Sequence, residues 1–218
     1  MKIRNQGDFL ELLERDLTWR KRELSRYSLQ TKSLGGQDLA LILKTGIALL
    51  YAHWEGYVKF SSRLYFQYLR TLGGSIAGYA ENVVAVCLYK TYITQDHKLP
   101  FYQFYEVMRK ARNPDIEFHS SIEEAITAKS NLKYEVLLEI LTMLNISAVP
   151  YELKKQLIDH KLCHLRNAFC HGDRIDVDMD DFELLQSMVV ELLESFKADL
   201  SNLVSTSAYL TPGSVKQD

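Results

Sequence analysis

The fold depends on one apolar run, Leu39-Ala-Leu-Ile-Leu-Lys-Thr-Gly-Ile-Ala-Leu-Leu-Tyr51, which lies in a proline-free segment from Asp38 to Leu72. Its apolar residues cover most faces of a helix, a pattern typical of a central helix packed by several neighbours. Gly46 and Gly56 each weaken such a helix by about 1 kcal/mol relative to alanine. We therefore expect both glycines to permit close approach of neighbouring helices.

The rest of the chain also shows helical periodicity, interrupted by only 10 glycines and 4 prolines. Asp8, with Glu11 three residues later, matches a capping box and predicts the start of a helix that ends before Gly35. Further helices are predicted for residues 81–93, where a strand is the alternative, from residue 122, and for residues 130–145, 151–170 and 180–204. The sequence therefore predicts an all-α protein with two long helices and several shorter ones.

Length and composition indicate one globular domain. The chain has 218 residues, of which 47% are hydrophobic and 25% charged, enough for a sizeable core. We predict a single helical domain over residues 1–204 and a disordered tail over residues 205–218. Three cysteines argue against a secreted disulfide framework, no apolar signal segment opens the sequence, and the near-apolar residues 40–52 are too few to span a bilayer. We therefore expect a cytoplasmic protein with no membrane partner.

The net charge of −2 is the sum of strongly uneven segments. Residues 15–32 carry six Lys or Arg against two acids, and residues 153–174 carry five against two. Residues 176–199 carry eight acids against one lysine. Solvated helix faces are the simpler explanation, and contacts with a polyanion or a charged partner are the alternative.

The segment most indicative of chemistry is Leu162-Cys-His-Leu-Arg-Asn-Ala-Phe-Cys-His-Gly-Asp173. On an ideal helix Arg166 and His171 stand about 140° apart, whereas Asn167 and His171 share a face. Gly172 occupies the position of a helix-ending residue, so we expect His171 to turn toward Arg166 as the helix frays. Histidine suits proton transfer, arginine matches phosphate, and asparagine can orient either. This set suits metal-free cleavage of RNA, and capping of helix carbonyls is the alternative role.

The pattern Arg166-Asn167-x-x-x-His171 resembles the R-x4-6-H signature of HEPN domains (higher eukaryotes and prokaryotes nucleotide-binding). The segment Leu49-Leu-Tyr-Ala-His-Trp-Glu-Gly-Tyr-Val-Lys59 is similar to an early helix of a bacterial HEPN-like nuclease family found in defence and toxin–antitoxin loci. Ser130-Asn-Leu-Lys133 and the helix after it are also similar to that family. The resemblance covers roughly residues 8–200 and implies a HEPN-like helical bundle with additional helices.

The resemblance also implies an activity: metal-independent endoribonuclease cleavage by a homodimer whose two motifs meet in a shared cleft, leaving a 2′,3′-cyclic phosphate. Arg166 would then stabilise charge at the scissile phosphate, His171 would serve as general base or general acid, and Asn167 would position one of them. RNA is the implied substrate, and a toxin or antiphage effector would be opposed by a cognate antitoxin or defence-operon protein. The alternative is a non-catalytic HEPN module that binds nucleotide, RNA or a protein.

Three further residues are candidates for supporting the site. Glu55 lies in a largely apolar helix, where a carboxylate needs a partner such as Arg166; an exposed face is the alternative. His53 in the same segment and Asp173 beside the motif are the other two.

No metal or cofactor is predicted. His160 and His164 stand at a spacing that can hold zinc, but Lys161 replaces the glutamate of a H-E-x-x-H motif and no C-x-x-C pair is present.

Overall fold

The computed structural model describes residues 3–92, 118 and 122–211, and these residues are arranged as a bundle of helices. Seven α-helices are formed in the described ranges: α1 (Gln6–Thr31), α2 (Gly36–Leu72), α3 (Glu81–Tyr92), α4 (Tyr134–Leu144), α5 (Val149–Glu152), α6 (His164–His171) and α7 (Met179–Ser205). Short 3-10 turns cover Ile76–Gly78 and Ile122–Ala125, and a π-helix covers Leu157–Cys163. The all-α prediction is confirmed, and the 3-10 turn at Ile122 is where a helix start was expected.

The three long helices α1, α2 and α7 pack against one another and enclose the core. Helix α2 lies at the centre, with Trp54, Tyr57 and Val58 fully buried in consecutive turns. Its two interior glycines, Gly46 and Gly56, stand at close helix contacts, as expected. A Cβ at Gly46 would lie 2.5 Å from the Phe182 ring, and a Cβ at Gly56 would lie 2.8 Å from Nη1 of Arg20.

Helix boundaries correct two sequence-based expectations. The cap of α1 is Asn5, whose side chain accepts the Asp8 N–H at 2.9 Å, while the Asp8 carboxylate accepts the Arg4 N–H at 2.9 Å. The capping prediction was therefore placed three residues too late. Residues 81–92 form helix α3, so the alternative of a strand there is wrong. Residues 93–117 and 119–121 lie outside the described residues.

The predicted single helix over residues 151–170 is instead divided into three parts. Helix α5 ends at Glu152, the π-helix follows, and α6 begins at His164. The division has a structural use, because Asp159 of the π-helix accepts the backbone N–H of Tyr134 at 2.7 Å and so caps α4. Helix α4 ends at Asn145 in the left-handed conformation, where its end was expected.

The prediction of disorder from residue 205 onward is wrong for its first part. Tyr209 is buried, its carbonyl accepts the Ala80 N–H at 2.8 Å, and the Thr211 N–H reaches the Gly78 carbonyl at 3.1 Å. These two hydrogen bonds join the segment after α7 to the turn before α3. Residues 212–218 lie outside the described residues. Across the described ranges, no helix combines the length and apolarity needed to cross a bilayer.

Candidate functional site

Arg166 projects from α6 toward α2 and is held there by three side chains. Its guanidinium carbon lies 4.0 Å from the centroid of the Tyr51 ring, a cation–π contact. Its Nη2 lies 3.7 Å from Oε2 of Glu55, and its Nη1 donates a 2.8 Å hydrogen bond to Oδ1 of Asn167. The side chain is therefore oriented, yet 22% of it remains exposed.

Tyr51 supports this arrangement from beneath. Its hydroxyl oxygen accepts the backbone N–H of Leu132 at 2.7 Å, which ties α2 to the segment before α4. Burial, and then the neighbouring Glu55 carboxylate, raise the pKa of Tyr51, so the phenol stays neutral. Arg166 therefore rests on a neutral aromatic face, and its countercharge comes from Glu55.

Glu55 pairs with Arg166 as the sequence analysis anticipated, and it lies also 3.6 Å from Nζ of Lys59. Only 21% of its side chain is exposed, which excludes the alternative of a fully solvated face. One carboxylate thus faces two cations, and the distances to both exceed those of tight ion pairs. Positive charge remains in excess around it.

These residues border an open cleft of about 850 Å³ between α2 and α6. Its wall combines three cations, one carboxylate and apolar surface, contributed by Tyr51, Glu55, Lys59, Phe60, Arg63, Leu64, Gln67, Arg166 and Cys170 among others. Arg63 is oriented by two hydrogen bonds from its guanidinium to the Ile126 carbonyl, at 3.0 and 3.2 Å. A cleft with this charge balance favours an anionic ligand.

The π-helix sets the direction in which α6 leaves the core. Its i→i+5 turns differ from the α-helical repeat, so residues after it point differently from those of an unbroken α-helix. Leu162 and Cys163 are fully buried at its end, and the Cys163 thiol donates to the Leu132 carbonyl at 3.6 Å. Burial raises the pKa of that thiol to about 12, so Cys163 is an unreactive packing residue.

His171 is the last residue of α6 and does not line the cleft. Gly172 adopts the left-handed conformation (φ 79°), and the Gly172 and Asp173 N–H groups bond to the Phe169 and Ala168 carbonyls at 3.1 and 2.9 Å. This Schellman motif keeps the helix regular to its end. The expected fraying that would turn His171 toward Arg166 does not occur, and both His171 and Asp173 are exposed.

His53 lies on the opposite side of α2 from Glu55, because residues two apart on a helix differ by about 200°. Its ring is buried beside Trp19 of α1, and its Nε2 lies 3.0 Å from the Glu23 carboxylate in a contact too poorly aligned for a hydrogen bond. Burial and the nearby Arg20 charge lower the pKa of His53. The structure therefore does not bring His53 to the Arg166 cleft.

Three residues of the cleft were not predicted from the sequence: Tyr51, Lys59 and Arg63. A signal for them existed, because residues 51, 55, 59 and 63 follow at i, i+4, i+8 and i+12 and form one stripe along α2. His160 and His164 are exposed, and over the described ranges no group of three or more His, Cys, Asp or Glu side chains is arranged to hold a metal ion.

A helical bundle with a buried central helix and an Arg-Asn-x-x-x-His motif at a helix end has the features of a HEPN domain. Residues 9–209 match the model of the HEPN_MAE_28990/-like HEPN family, and the chain belongs to that family. The match spans the fold from α1 to the buried Tyr209. Comparisons with curated proteins and with solved structures find no match.

Proposed function

We propose that this protein is a metal-independent endoribonuclease. The observation that carries the proposal is Arg166, which is oriented by Tyr51, Glu55 and Asn167 at the edge of a cationic cleft. An arginine with most of its donors unused and part of its surface exposed is suited to a phosphodiester. Its fixed position lets it stabilise charge that develops on the phosphate during the reaction.

The reaction needs one base and one acid besides Arg166. The base removes the proton from a ribose 2′-hydroxyl, the 2′-oxygen attacks phosphorus, and the bond from phosphorus to the 5′-oxygen breaks. The acid protonates the leaving 5′-oxygen, so the products are a 2′,3′-cyclic phosphate and a 5′-hydroxyl. His171 serves in one of these two roles, since imidazole can both accept and donate a proton near neutral pH.

Because His171 lies outside the cleft of its own chain, the proposal includes a homodimer. Two copies of the exposed α6 end would bring two motifs to one shared cleft. In this arrangement the phosphate is held by Arg166 and the proton is transferred by a histidine. The biological role that fits such an enzyme is a toxin or antiphage effector, opposed by a cognate antitoxin or defence-operon protein.

The direct test measures RNA cleavage in EDTA by the wild type, Arg166→Ala and His171→Ala. We expect each variant to lose at least about a hundredfold in rate. His164→Ala is the matched control, because it removes another exposed imidazole of α6 and should leave the rate unchanged. Full activity in both Arg166→Ala and His171→Ala would show the assignment to be wrong.

A mixing experiment tests the shared cleft. In a composite site, Arg166→Ala chains supply the histidine and His171→Ala chains supply the arginine, so a mixed dimer regains one intact site. We expect the mixture to recover part of the wild-type rate after the subunits exchange. No recovery, in a mixture shown to form mixed dimers, would place both groups in one chain.

A second candidate function is a non-catalytic module that binds nucleotide, RNA or a protein at the same cleft. The specific observation in its favour is the separation of His171 from the cleft that contains Arg166. Binding of RNA that depends on Arg166 but not on His171, with no cleavage of varied RNA substrates by the wild type, would support this second function.

A further inference from the structure

Helix α1 carries a stripe of cationic and aromatic residues that the proposed catalytic chemistry does not use. Arg15, Trp19, Arg22 and Arg26 follow at i, i+4, i+7 and i+11 and therefore lie along one face. The opposite positions, among them Leu13 and Leu17, face the core. Three basic residues of the segment 15–32 therefore share one face of α1.

This stripe is joined to the Arg166 cleft by two adjoining depressions. The first, of about 410 Å³, contains Arg15 and Trp19 and shares Phe60, Leu64 and Gln67 with the Arg166 cleft. The second, of about 570 Å³, contains Arg22 and Arg26 and shares Trp19 with the first. The three concave regions form one track, and Trp19 stands at the junction of the two depressions on α1.

Trp19 is exposed and yet held in one orientation. Its side chain is 45% exposed, which is unusual for so large an apolar residue. Its indole N–H donates to Asp16 at 2.9 Å, and the Arg20 guanidinium carbon lies 4.7 Å from the ring centroid. The His53 ring packs edge-on at 5.3 Å. An indole fixed in this way offers a stacking surface with little loss of side-chain entropy on binding.

Charge along the track favours a polyanion. Its carboxylates already have cationic or imidazole neighbours in the protein: Glu55 faces Arg166 and Lys59, Asp16 bonds Arg20 at 2.6 Å, and Glu23 contacts His53. Arg22 and Arg26, in contrast, form no ion pair with another described residue. Two arginines beside an aromatic platform are an arrangement typical of sites that bind single-stranded nucleic acid.

We propose that single-stranded RNA entering or leaving the Arg166 cleft continues along α1, with a base stacked on Trp19 and phosphates bound by Arg22 and Arg26. This inference rests on the proposed function for the identity of the ligand, and it adds a path for the strand outside the cleft. The stripe from Arg15 to Arg26 is about 16 Å long at 1.5 Å per residue. Paired bases cannot stack on an indole without being separated.

The experiment measures binding of a labelled oligouridine of about 12 nucleotides, within the range of single-strand site sizes, by fluorescence anisotropy. The His171→Ala chain is used throughout so that no cleavage occurs. Trp19→Ala in this background should weaken binding by about tenfold, whereas Trp19→Phe should retain most of the affinity. A duplex of the same length should bind more weakly than the single strand.

The charge contribution is tested with a matched pair of double variants. Arg22→Glu with Arg26→Glu should weaken binding at least tenfold and reduce the salt dependence. Arg4→Glu with Lys32→Glu makes the same change in net charge at exposed positions near the two ends of α1, outside the track, and should have a much smaller effect. Equal losses in both pairs would show only a general charge effect and would overturn the track.

A spectroscopic signature separates stacking from a purely structural role of Trp19. The chain has 2 tryptophans, and the other, Trp54, is fully buried. Oligouridine should therefore quench the tryptophan emission of the His171→Ala chain but not that of its Trp19→Phe derivative. Unchanged emission, together with unchanged affinity of Trp19→Ala, would overturn the proposal.

Failure of this proposal is distinguishable from failure of the proposed function. A uridylyl dinucleotide fills only the cleft, so the wild type and the Arg22→Glu/Arg26→Glu variant should cleave it at similar rates, while the variant shows a raised KM for the longer strand. Dinucleotide and longer strand cleaved equally well by both chains would overturn the track and leave the nuclease in place. If the wild type cleaves neither RNA but binds the longer strand through Trp19, the proposed nuclease activity would be overturned and the track would stand.

Discussion

Two arginines in this protein have similar surroundings and opposite roles. Arg20 and Arg166 each stack on an aromatic ring, at 4.7 Å on Trp19 and 4.0 Å on Tyr51, and each faces a carboxylate. Arg20 bonds Asp16 at 2.6 Å and the His53 carbonyl at 3.3 Å, with 10% of its side chain exposed. Arg166 stands 3.7 Å from Glu55, with 22% exposed, beside a cleft.

The difference shows that an aromatic ring and a carboxylate do not by themselves make an anion-binding site. Arg20 is enclosed, because Gly56 leaves room for its guanidinium against α2 and its donors reach protein acceptors at short distance. Arg166 stands farther from its carboxylate, at 3.7 Å, and retains donors for a ligand. A buried, paired arginine contributes to the fold, whereas a partly exposed and incompletely neutralised one is available for chemistry.

The largest expected effects come from removing each arginine. Arg166→Ala should lower the rate of RNA cleavage by about 10²- to 10³-fold, with little change in unfolding by urea. Arg20→Ala should lower the free energy of unfolding by about 3–5 kcal/mol, because Asp16 is left in a nearly buried position without its partner. If Arg166→Ala and Arg20→Ala lower the free energy of unfolding by similar amounts, Arg20 is not the structural arginine of the two.

A smaller effect is expected from filling the space that Arg20 occupies. A Cβ at Gly56 would lie 2.8 Å from Arg20 Nη1. The overpacking cost of about 1–3 kcal/mol is partly offset by the gain of about 1 kcal/mol in helix propensity, so Gly56→Ala should lower the free energy of unfolding by up to about 2 kcal/mol. Gly78→Ala is the matched control, since its Cβ would meet no atom within 4 Å. If chemical denaturation gives the two variants equal stability, then Arg20 is not enclosed as described.

The pH dependence of the free energy of unfolding should report on His53, which is buried near Arg20. Burial and the Arg20 charge lower the pKa of His53 in the folded protein below its ordinary 6.5, so the unfolded chain binds more protons between the two values. The contribution of His53 is therefore complete above pH 6.5 and is lost as pH falls through the window below it, by at most about 1.4 kcal/mol per pH unit.

His53→Gln tests this linkage. Denaturation midpoints measured at several pH values should fall less steeply on acidification in His53→Gln than in the wild type. His160→Gln, which removes an exposed imidazole, is the reference for the loss of a histidine. A wild-type slope retained in His53→Gln would assign the pH dependence to other groups.

The smallest expected effect is that of Glu55→Gln. The pair with Arg166 is long and each side chain is about one-fifth exposed, so the free energy of unfolding should change by less than about 1 kcal/mol. Loss of the negative charge should strengthen binding of inorganic phosphate to the cleft a few-fold, as measured by calorimetry. Asp16→Asn, the equivalent change beside Arg20, should lower stability without altering phosphate binding.

Sequence reasoning located the fold and much of the cleft because both depend on local patterns. The apolar stretch from Leu39 to Tyr51 predicted a central helix, and Gly46 and Gly56 predicted close contacts that the structure contains. Glu55 was paired with Arg166 because a carboxylate in an apolar helix needs a partner. The Arg166-Asn167-x-x-x-His171 pattern resembles the HEPN signature, and the family match confirms that class.

Other features could not be predicted from local sequence patterns. The π-helix over Leu157–Cys163 packs against α2, and its Asp159 accepts the Tyr134 N–H of α4, whereas the sequence there is compatible with an unbroken α-helix. Tyr209 was assigned to a disordered tail, since its short segment has no helical periodicity to reveal that the ring is buried against Tyr68 of α2 and Tyr79 of the turn before α3. His53 was grouped with Glu55 by adjacency, although the helix places them on opposite sides.

The helical class, the central helix and the Arg-Asn-x-x-x-His motif follow from local sequence, because the helical repeat and residue chemistry are local properties. Tertiary packing set which arginine is enclosed and which is open, since enclosure depends on what other helices place around a guanidinium. It also decided that His171 stands outside the cleft of its own chain and that Trp19 is an exposed but immobilised ring. Packing between distant segments sets exposure, and exposure separates a residue that stabilises the fold from one that meets a ligand.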